Sequence, residues 1–234
     1  MTTDRLPKDD ILGDLEGLLD EFRELLKYYS PSCLVSDASD NDCVMASAIK
    51  PIFSKKISGS ALTIKIDPHN CFSSIEIIKH IKAGQIVVVD AKGETEVSVI
   101  GGIISSVLKQ KGALGAIVDG AVRDIDEVRD MGFPLFSRAV VPKSLIYSCS
   151  EDDETHPIEV NVPIHCGGVL VHPNDIIVAD DVGVAVIPHD KARSVLKRAK
   201  EIAKREGELS KKIKGKMNIE EIMEMTKKII SSIS

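Results

Sequence analysis

Arg123 and Asp124 stand side by side just after Gly115–Val122, a short apolar run that reads as a buried strand passing into a glycine-containing turn. An arginine offers a planar, permanently charged fork that takes a carboxylate or a developing oxyanion in two hydrogen bonds. An aspartate offers hard oxygen ligands for a divalent cation. Ligands of open α/β sheets collect beyond the carboxyl ends of the strands. A strand that delivers both residues there predicts a site for a small anion together with a metal ion.

Each of these residues has a plainer reading beside the chemical one. Asp124 and Glu127 have the spacing of a helix capping box, so Asp124 reads equally as an N-cap or a metal ligand. Glu127 reads as the reciprocal cap before it reads as a catalyst. Arg123 can instead form a surface salt bridge to Asp126 or Glu127. Asp119 is either a supporting carboxylate or a turn former. Upstream, Gly101 and Gly102 precede Ile103 and Ile104 at the start of a predicted helix. Paired glycines there leave backbone N–H groups to face an anion, although they also mark simple turns. Asp180–Gly183 reads as a hairpin turn without chemistry.

The elements that must position these residues follow from periodicity. Leu12, Leu15, Leu18, Leu19, Phe22, Leu25 and Leu26 predict an amphipathic helix over 9–28, stopped by Pro31. Residues 33–36 and 45–53 read as short extended or mixed segments. Residues 58–67 alternate as a strand. A helix with Ile75, Ile77, Ile78 and Ile81, capped by Ser73 or Ser74, ends at Gly84. Residues 85–90 are a Val-rich strand buried on both faces, and 91–96 a polar loop. Helices are predicted over about 99–111 and 124–131. Residues 158–188 read as strand and turn throughout, and helices over about 190–213 and 219–232 close the chain. Asn218 with Glu221 caps the last. Alternation in the first half and strand richness in the second predict one mixed α/β domain over 1–234 with helical arms at both ends.

Composition narrows the function. The chain has 234 residues, 43% of them hydrophobic but only 3% aromatic, so the core is aliphatic. A net charge of −6 argues against general nucleic-acid binding, which needs a basic surface. No run approaches the roughly 20 apolar residues of a membrane helix. The polar start predicts a cytoplasmic protein. Cys33, Cys43, Cys71, Cys149 and Cys166 are odd in number and never spaced C-x-x-C, which predicts reduced thiols. His165–Cys166, with His156 and His172, matches no recurrent zinc spacing, so packing is the preferred reading for Cys166.

Gly102, twenty intervening residues, Arg123–Asp124 and then Glu127 resemble the signature of the RraA-like family. That family includes class II 4-hydroxy-4-methyl-2-oxoglutarate/4-carboxy-4-hydroxy-2-oxoadipate aldolases and the regulator of ribonuclease E activity A. Ser36–Ala38, Ser58–Thr63, Val162–Pro163, Cys166–Val169, Pro173–Asp175, Val182–Val184 and Ile187–Pro188 resemble further segments of it, in order, over about 30–210.

The resemblance implies a three-layer β/β/α swivelling-domain-like fold, assembled as a homotrimer or hexamer with active sites between subunits. It implies Mg2+ (or Mn2+) on Asp124, and Arg123 on a 2-oxo acid and its enolate. Backbone amides at Gly101–Ile104, chiefly Ile103 and Ile104, would hold the pyruvate carboxylate. A glutamate from an adjacent subunit's C-terminal helix would support the metal's waters; Glu206 is the match, with Glu201 and Glu208 as competitors. The chain departs from the aldolases at Gly102, where they tend to carry an acidic residue that orders water for proton transfer. It departs from the bacterial regulator by keeping Asp124.

The expected activity is metal-dependent cleavage of a 2-oxo acid through a pyruvate enolate, with oxaloacetate decarboxylation by the same route. The alternative is a non-catalytic regulator that binds a ribonuclease or helicase. A methyltransferase is rejected, since no G-x-G-x-x-G follows a strand. Loops 67–73 and 148–157 are expected to set specificity.

Overall fold

The computed structural model describes residues 8–39, 43–68, 75–144, 158–215 and 218–230. Most of loops 67–73 and 148–157, and the Ser73 or Ser74 cap, lie outside these residues.

The helices are α1 (Lys8–Glu24), α2 (Pro31–Ala38), α3 (Ile75–His80), α4 (Gly102–Gln110), α5 (Ile125–Asp130), α6 (Ala192–Lys214) and α7 (Ile219–Ile230). The strands are β1 (Lys50–Pro51), β2 (Ile57–Lys65), β3 (Gln85–Ile100), β4 (Gly115–Val122), β5 (Leu135–Val140), β6 (Glu159–Val160), β7 (Ile164–Cys166), β8 (Val169–Val171), β9 (Ile176–Ala179) and β10 (Val184–Ile187). The main sheet runs β1-β5-β4-β3-β2-β9-β10, with β6 added on β2, and β7–β8 form a separate hairpin. Strands β2, β3, β4 and β5 are parallel neighbours. Their carboxyl ends therefore lie on one side of the sheet.

Period-two alternation sorts the core into layers. Val87 and Val89 of β3 face α3, α4 and α5 with Leu62, Leu108 and Val128. Ile86 and Val88 face the β7–β8 hairpin with Ile164, Cys166 and Val171. Further along, Ile176 and Val178 of β9 meet Phe22, Val35 and Leu196 from α1, α2 and α6. Hairpin, main sheet and helices are the three layers of the expected β/β/α architecture. Phe22, Phe133 and Phe136 are fully buried in an otherwise aliphatic interior.

Three local readings change. Residues 33–36 are helix, because Pro31 does not simply stop the preceding element: it opens α2, where its fixed φ and missing N–H suit the first helical position. The α2 N-terminus is capped from across the fold, since buried Asp180 accepts from the Ser32 N–H and hydroxyl, both at 2.8 Å, and from the Val182 N–H at 2.9 Å. The expected 91–96 loop is part of β3, which continues to Ile100 through irregular pairing. The helix expected from about 99 therefore starts at Gly102.

Asp119 lies inside β4 with its side chain buried, so it is no turn former. Its carboxylate pairs with Arg138 and accepts the Gly167 N–H at 2.6 Å, tying the main sheet to the hairpin. That contact holds Arg138 above its ordinary basic range. Asp119→Ala strands a guanidinium and an amide together. A loss of about 2 kcal/mol is expected, read as a lower urea midpoint at unchanged slope.

Candidate active site

Strand register brings the two glycines to the Arg–Asp pair. Strand β3 takes eleven residues, Asp90 to Ile100, to cover what β4 covers in four, Asp119 to Val122. Both strands then end together, with Ile100 paired to Val122 and the Arg123 N–H donating to the Ile100 carbonyl at 3.0 Å. Gly101 and Gly102 leave β3 where Arg123 and Asp124 leave β4. Residues twenty-two positions apart in sequence thus become neighbours at the sheet's carboxyl edge.

Asp124 precedes α5 in the left-handed region, at φ 55° and ψ 40°, and its side chain does not cap that helix. The expected self-cap is replaced by a reach to the next helix: Oδ2 accepts the Gly102 N–H at 3.1 Å. Arg123 Nε lies 3.3 Å from the same oxygen. The alternative partners of Arg123 are accounted for otherwise, since Asp126 pairs with Arg129 at 2.8 Å.

Close contacts crowd both glycines at the start of α4. A Cβ on Gly101 would lie 2.5 Å from Asp124 Oδ2 and 3.0 Å from Arg123 Cγ. One on Gly102 would lie 2.0 Å from Glu127 Oε2. Glu127 is therefore not a reciprocal cap. Its carboxylate fills the volume into which a side chain at 102 would grow. Sequence reading missed this, because convergence of α4 and α5 leaves no periodic signal.

With the Gly102 amide on Asp124, the N–H groups of Ile103 and Ile104 are in the first turn of α4, where no intrahelical acceptor exists. They stand at the positive end of the helix dipole, an environment that favours negative charge. Ile103 is 73% exposed at this edge. A magnesium ion keeps several waters and binds proteins through one or two carboxylates. The partly exposed Asp124, with Glu127 across Gly101–Gly102, fits that demand. Three or more His, Cys, Asp or Glu side chains do not gather into a metal cluster among the described residues.

Glu206 lies elsewhere in the subunit, in a cavity of about 360 Å3 between α2 and α6 lined also by Tyr28, Cys33 and Asp37. Burial, then the charge of Asp37, pushes its carboxyl above the ordinary value of 4.5. Folding thus disfavours the ionised form. The stability this group contributes is full below pH 4.5 and is lost as pH climbs through the raised value. Melting curves from pH 4 to 7 should show the parent losing ground to Glu206→Gln as pH rises. A constant difference would remove the assigned cause.

The residue 32–186 segment matches the RraA-like family model, described as Aldolase/RraA. A Halalkalibacterium halodurans protein provisionally named 4-hydroxy-4-methyl-2-oxoglutarate aldolase is 33% identical over 171 residues, covering 73% of this chain and 78% of that one. A Thermus thermophilus protein named 4-hydroxy-4-methyl-2-oxoglutarate aldolase is 30% identical over 133 residues, 57% of this chain and 76% of its own. The solved structure of Streptomyces coelicolor RraAS2, described as an unusual member of the RNase ES inhibitor RraA family, superposes with a TM-score of 0.66 at 24% identity. It covers 80% of this chain and 95% of that one. Fold and strand-end site define a mixed α/β protein of the aldolase/RraA type. The chain belongs to the RraA-like family. No helix among the described residues is long and apolar enough to cross a membrane.

Proposed function

We propose that this chain is a carbon–carbon lyase that cleaves a 2-oxo acid of the 4-hydroxy-4-methyl-2-oxoglutarate type and decarboxylates oxaloacetate. The observation that carries this reading is Asp124, whose left-handed backbone aims its carboxylate at the α4 N-terminus beside Arg123. The names of the two aldolase relatives support it.

The amides of Ile103 and Ile104 hold the substrate carboxylate. Arg123 stands at the 2-oxo oxygen and stabilises the negative charge that grows there as the C–C bond breaks. Asp124, with Glu127 beside it, would hold a divalent cation, Mg2+ or Mn2+, which would supply Lewis-acid withdrawal of charge. Oxaloacetate loses its far carboxylate as CO2, whereas the hydroxy acid gives up its 4-hydroxyl proton to water and leaves a second 2-oxo acid; in both cases the three-carbon enolate then takes a proton from water at its terminal carbon. Glu127, in the volume of the missing side chain at 102, orders the water that delivers it. Glu206 of an adjacent copy would close the site in a homotrimer or hexamer.

The Gly102 departure favours a second reading, a regulator that acts by binding a ribonuclease or helicase. Similarity to the Streptomyces inhibitor-family fold is compatible with it. One assay separates the two. Purified protein is incubated with oxaloacetate and Mg2+, then with EDTA, while pyruvate is followed. Release that EDTA stops is expected. No release, with capture of a ribonuclease or helicase in a pull-down, would replace the lyase with the regulator.

A further inference from the structure

A cavity of about 300 Å3 opens at the amino end of β3, between α1, the loop that leads into β3 and the β8–β9 connection. We propose that it binds a free α-amino acid with a small aliphatic side chain. Gln85 begins β3 at this cavity, whereas Gly101 and Gly102 follow the strand's other end. Gly101–Ile104, Arg123, Asp124 and Glu127 form none of its walls, so the inference is independent of the lyase reading.

Two buried polar side chains supply the carboxylate end. Ser60 of β2 and Gln85 of β3 are register partners in parallel strands, so their side chains lie side by side on one face of the sheet. Further along, that face is aliphatic: Leu62 and Ile64 follow Ser60 on it, and Val87 and Val89 follow Gln85. Ser60 is 6% exposed and Gln85 8%, and both line the cavity. Gln85 Oε1 accepts the Lys82 N–H at 3.0 Å, which fixes the amide and leaves its NH2 as a donor. Neither that NH2 nor the Ser60 hydroxyl has a hydrogen-bond partner among the described residues. Buried donors are normally satisfied, and two adjacent donors suit the two oxygens of a carboxylate. The wall charges fit the rest of a zwitterion. On α1, Asp20 is engaged by Arg23 at 2.6 Å. Glu16, one turn before Asp20, and Lys82, in the loop, have no ion-pair partner among the described residues. Lys82 brings positive charge to the carboxylate end, because its backbone is tied to the Gln85 amide, and Glu16 takes the ammonium. Buried Leu15 and Leu19 give the ligand's side chain an apolar surface. Small-molecule sites begin near about 300 Å3, so the side chain that fits beside both charged groups is short.

L-Valine is the probe, titrated calorimetrically into the full chain without divalent metal or keto acid. Isovalerate, which lacks the amine, and isobutylamine, which lacks the carboxylate, are the controls. One saturable valine site per chain is expected, with each control bound at least ten-fold more weakly. Ser60→Ala should weaken valine about ten-fold, the range for a hydrogen bond to a charged group. Its melting temperature should stay close to the parent's, because the hydroxyl removed has no partner among the described residues. Glu16→Gln should weaken valine about ten-fold and leave isovalerate unchanged, which a purely structural role for Glu16 would not produce. If the buried Ser60 variant does not fold, the exposed Glu16 variant decides alone. Absence of saturable valine binding, a control that binds as tightly as valine, or unchanged valine affinity in the Glu16 variant would overturn the proposal. Asp124→Asn should bind valine as the parent does, so this inference and the lyase reading fail separately.

Discussion

Asp124→Asn is expected to lower metal-stimulated oxaloacetate cleavage by about 10²- to 10³-fold, the range for removing one electrostatic contributor from a site. Asparagine is the informative replacement because the backbone at 124 is left-handed. Asn and Asp adopt that conformation with little penalty, whereas other side chains bear roughly 1–2 kcal/mol. The amide oxygen can still accept the Gly102 N–H, so the joint between α4 and α5 survives. What disappears is the charge that a divalent cation requires. The melting temperature should stay within about 3 °C, as for a part-exposed substitution that leaves its main contact in place. Asp124→Ala should lose turnover equally and also lose stability, through the left-handed backbone and the abandoned amide. The measurement is initial rate against Mg2+ concentration for all three proteins. An asparagine variant that matches the parent's rate at saturating metal would sink the assignment.

The parts of the site that lie on single elements were legible in the sequence. Strand β4 reads as a buried run over 116–119, but the glycine turn expected next is not there: Gly120 lies inside the strand, which runs on to Val122. The glycines before α4 read as a helix start. What could not be read is how the two segments meet. That depends on β3 running on irregularly to Ile100, and its polar stretch with Lys92, Glu94 and Glu96 imitates a loop. The capping-box spacing of Asp124 and Glu127 misled for a related reason. Local pattern predicts a local partner, and here both carboxylates were drawn to a helix twenty-odd residues upstream. Pro31 shows the same limit on a smaller scale, since a proline that ends one helix can equally begin another. The place of Asp119 in a buried ion pair with Arg138 was likewise out of reach, because the partners come from separate strands and a distant turn.

Gly101→Ala gives the second large effect, and it isolates position from chemistry. The backbone at 101 is extended, φ −132° and ψ −167°, so alanine meets no conformational strain there. Its methyl carbon would, however, lie 2.5 Å from Asp124 Oδ2 and 3.0 Å from Arg123 Cγ. Both side chains can move, because each is part-exposed. The collision therefore resolves by displacing the two reacting groups and not by unfolding the protein. Misplacement by about 1 Å costs on the order of 10²-fold in rate, and that is the expected fall in kcat for oxaloacetate. Stability should change little, since the gain of about 0.4–1 kcal/mol from replacing glycine where the backbone permits it is offset by the displaced contact between Asp124 and the Gly102 amide. Gly102→Ala forms the contrast: the nearest atoms to its methyl belong to the flexible end of Glu127, so it should disturb proton delivery to the enolate and lower metal affinity less than Asp124→Asn does. A Gly101→Ala protein that is stable and fully active would show that Asp124 and Arg123 need not sit where they do, and the strand-end residues would lose their claim to the chemistry.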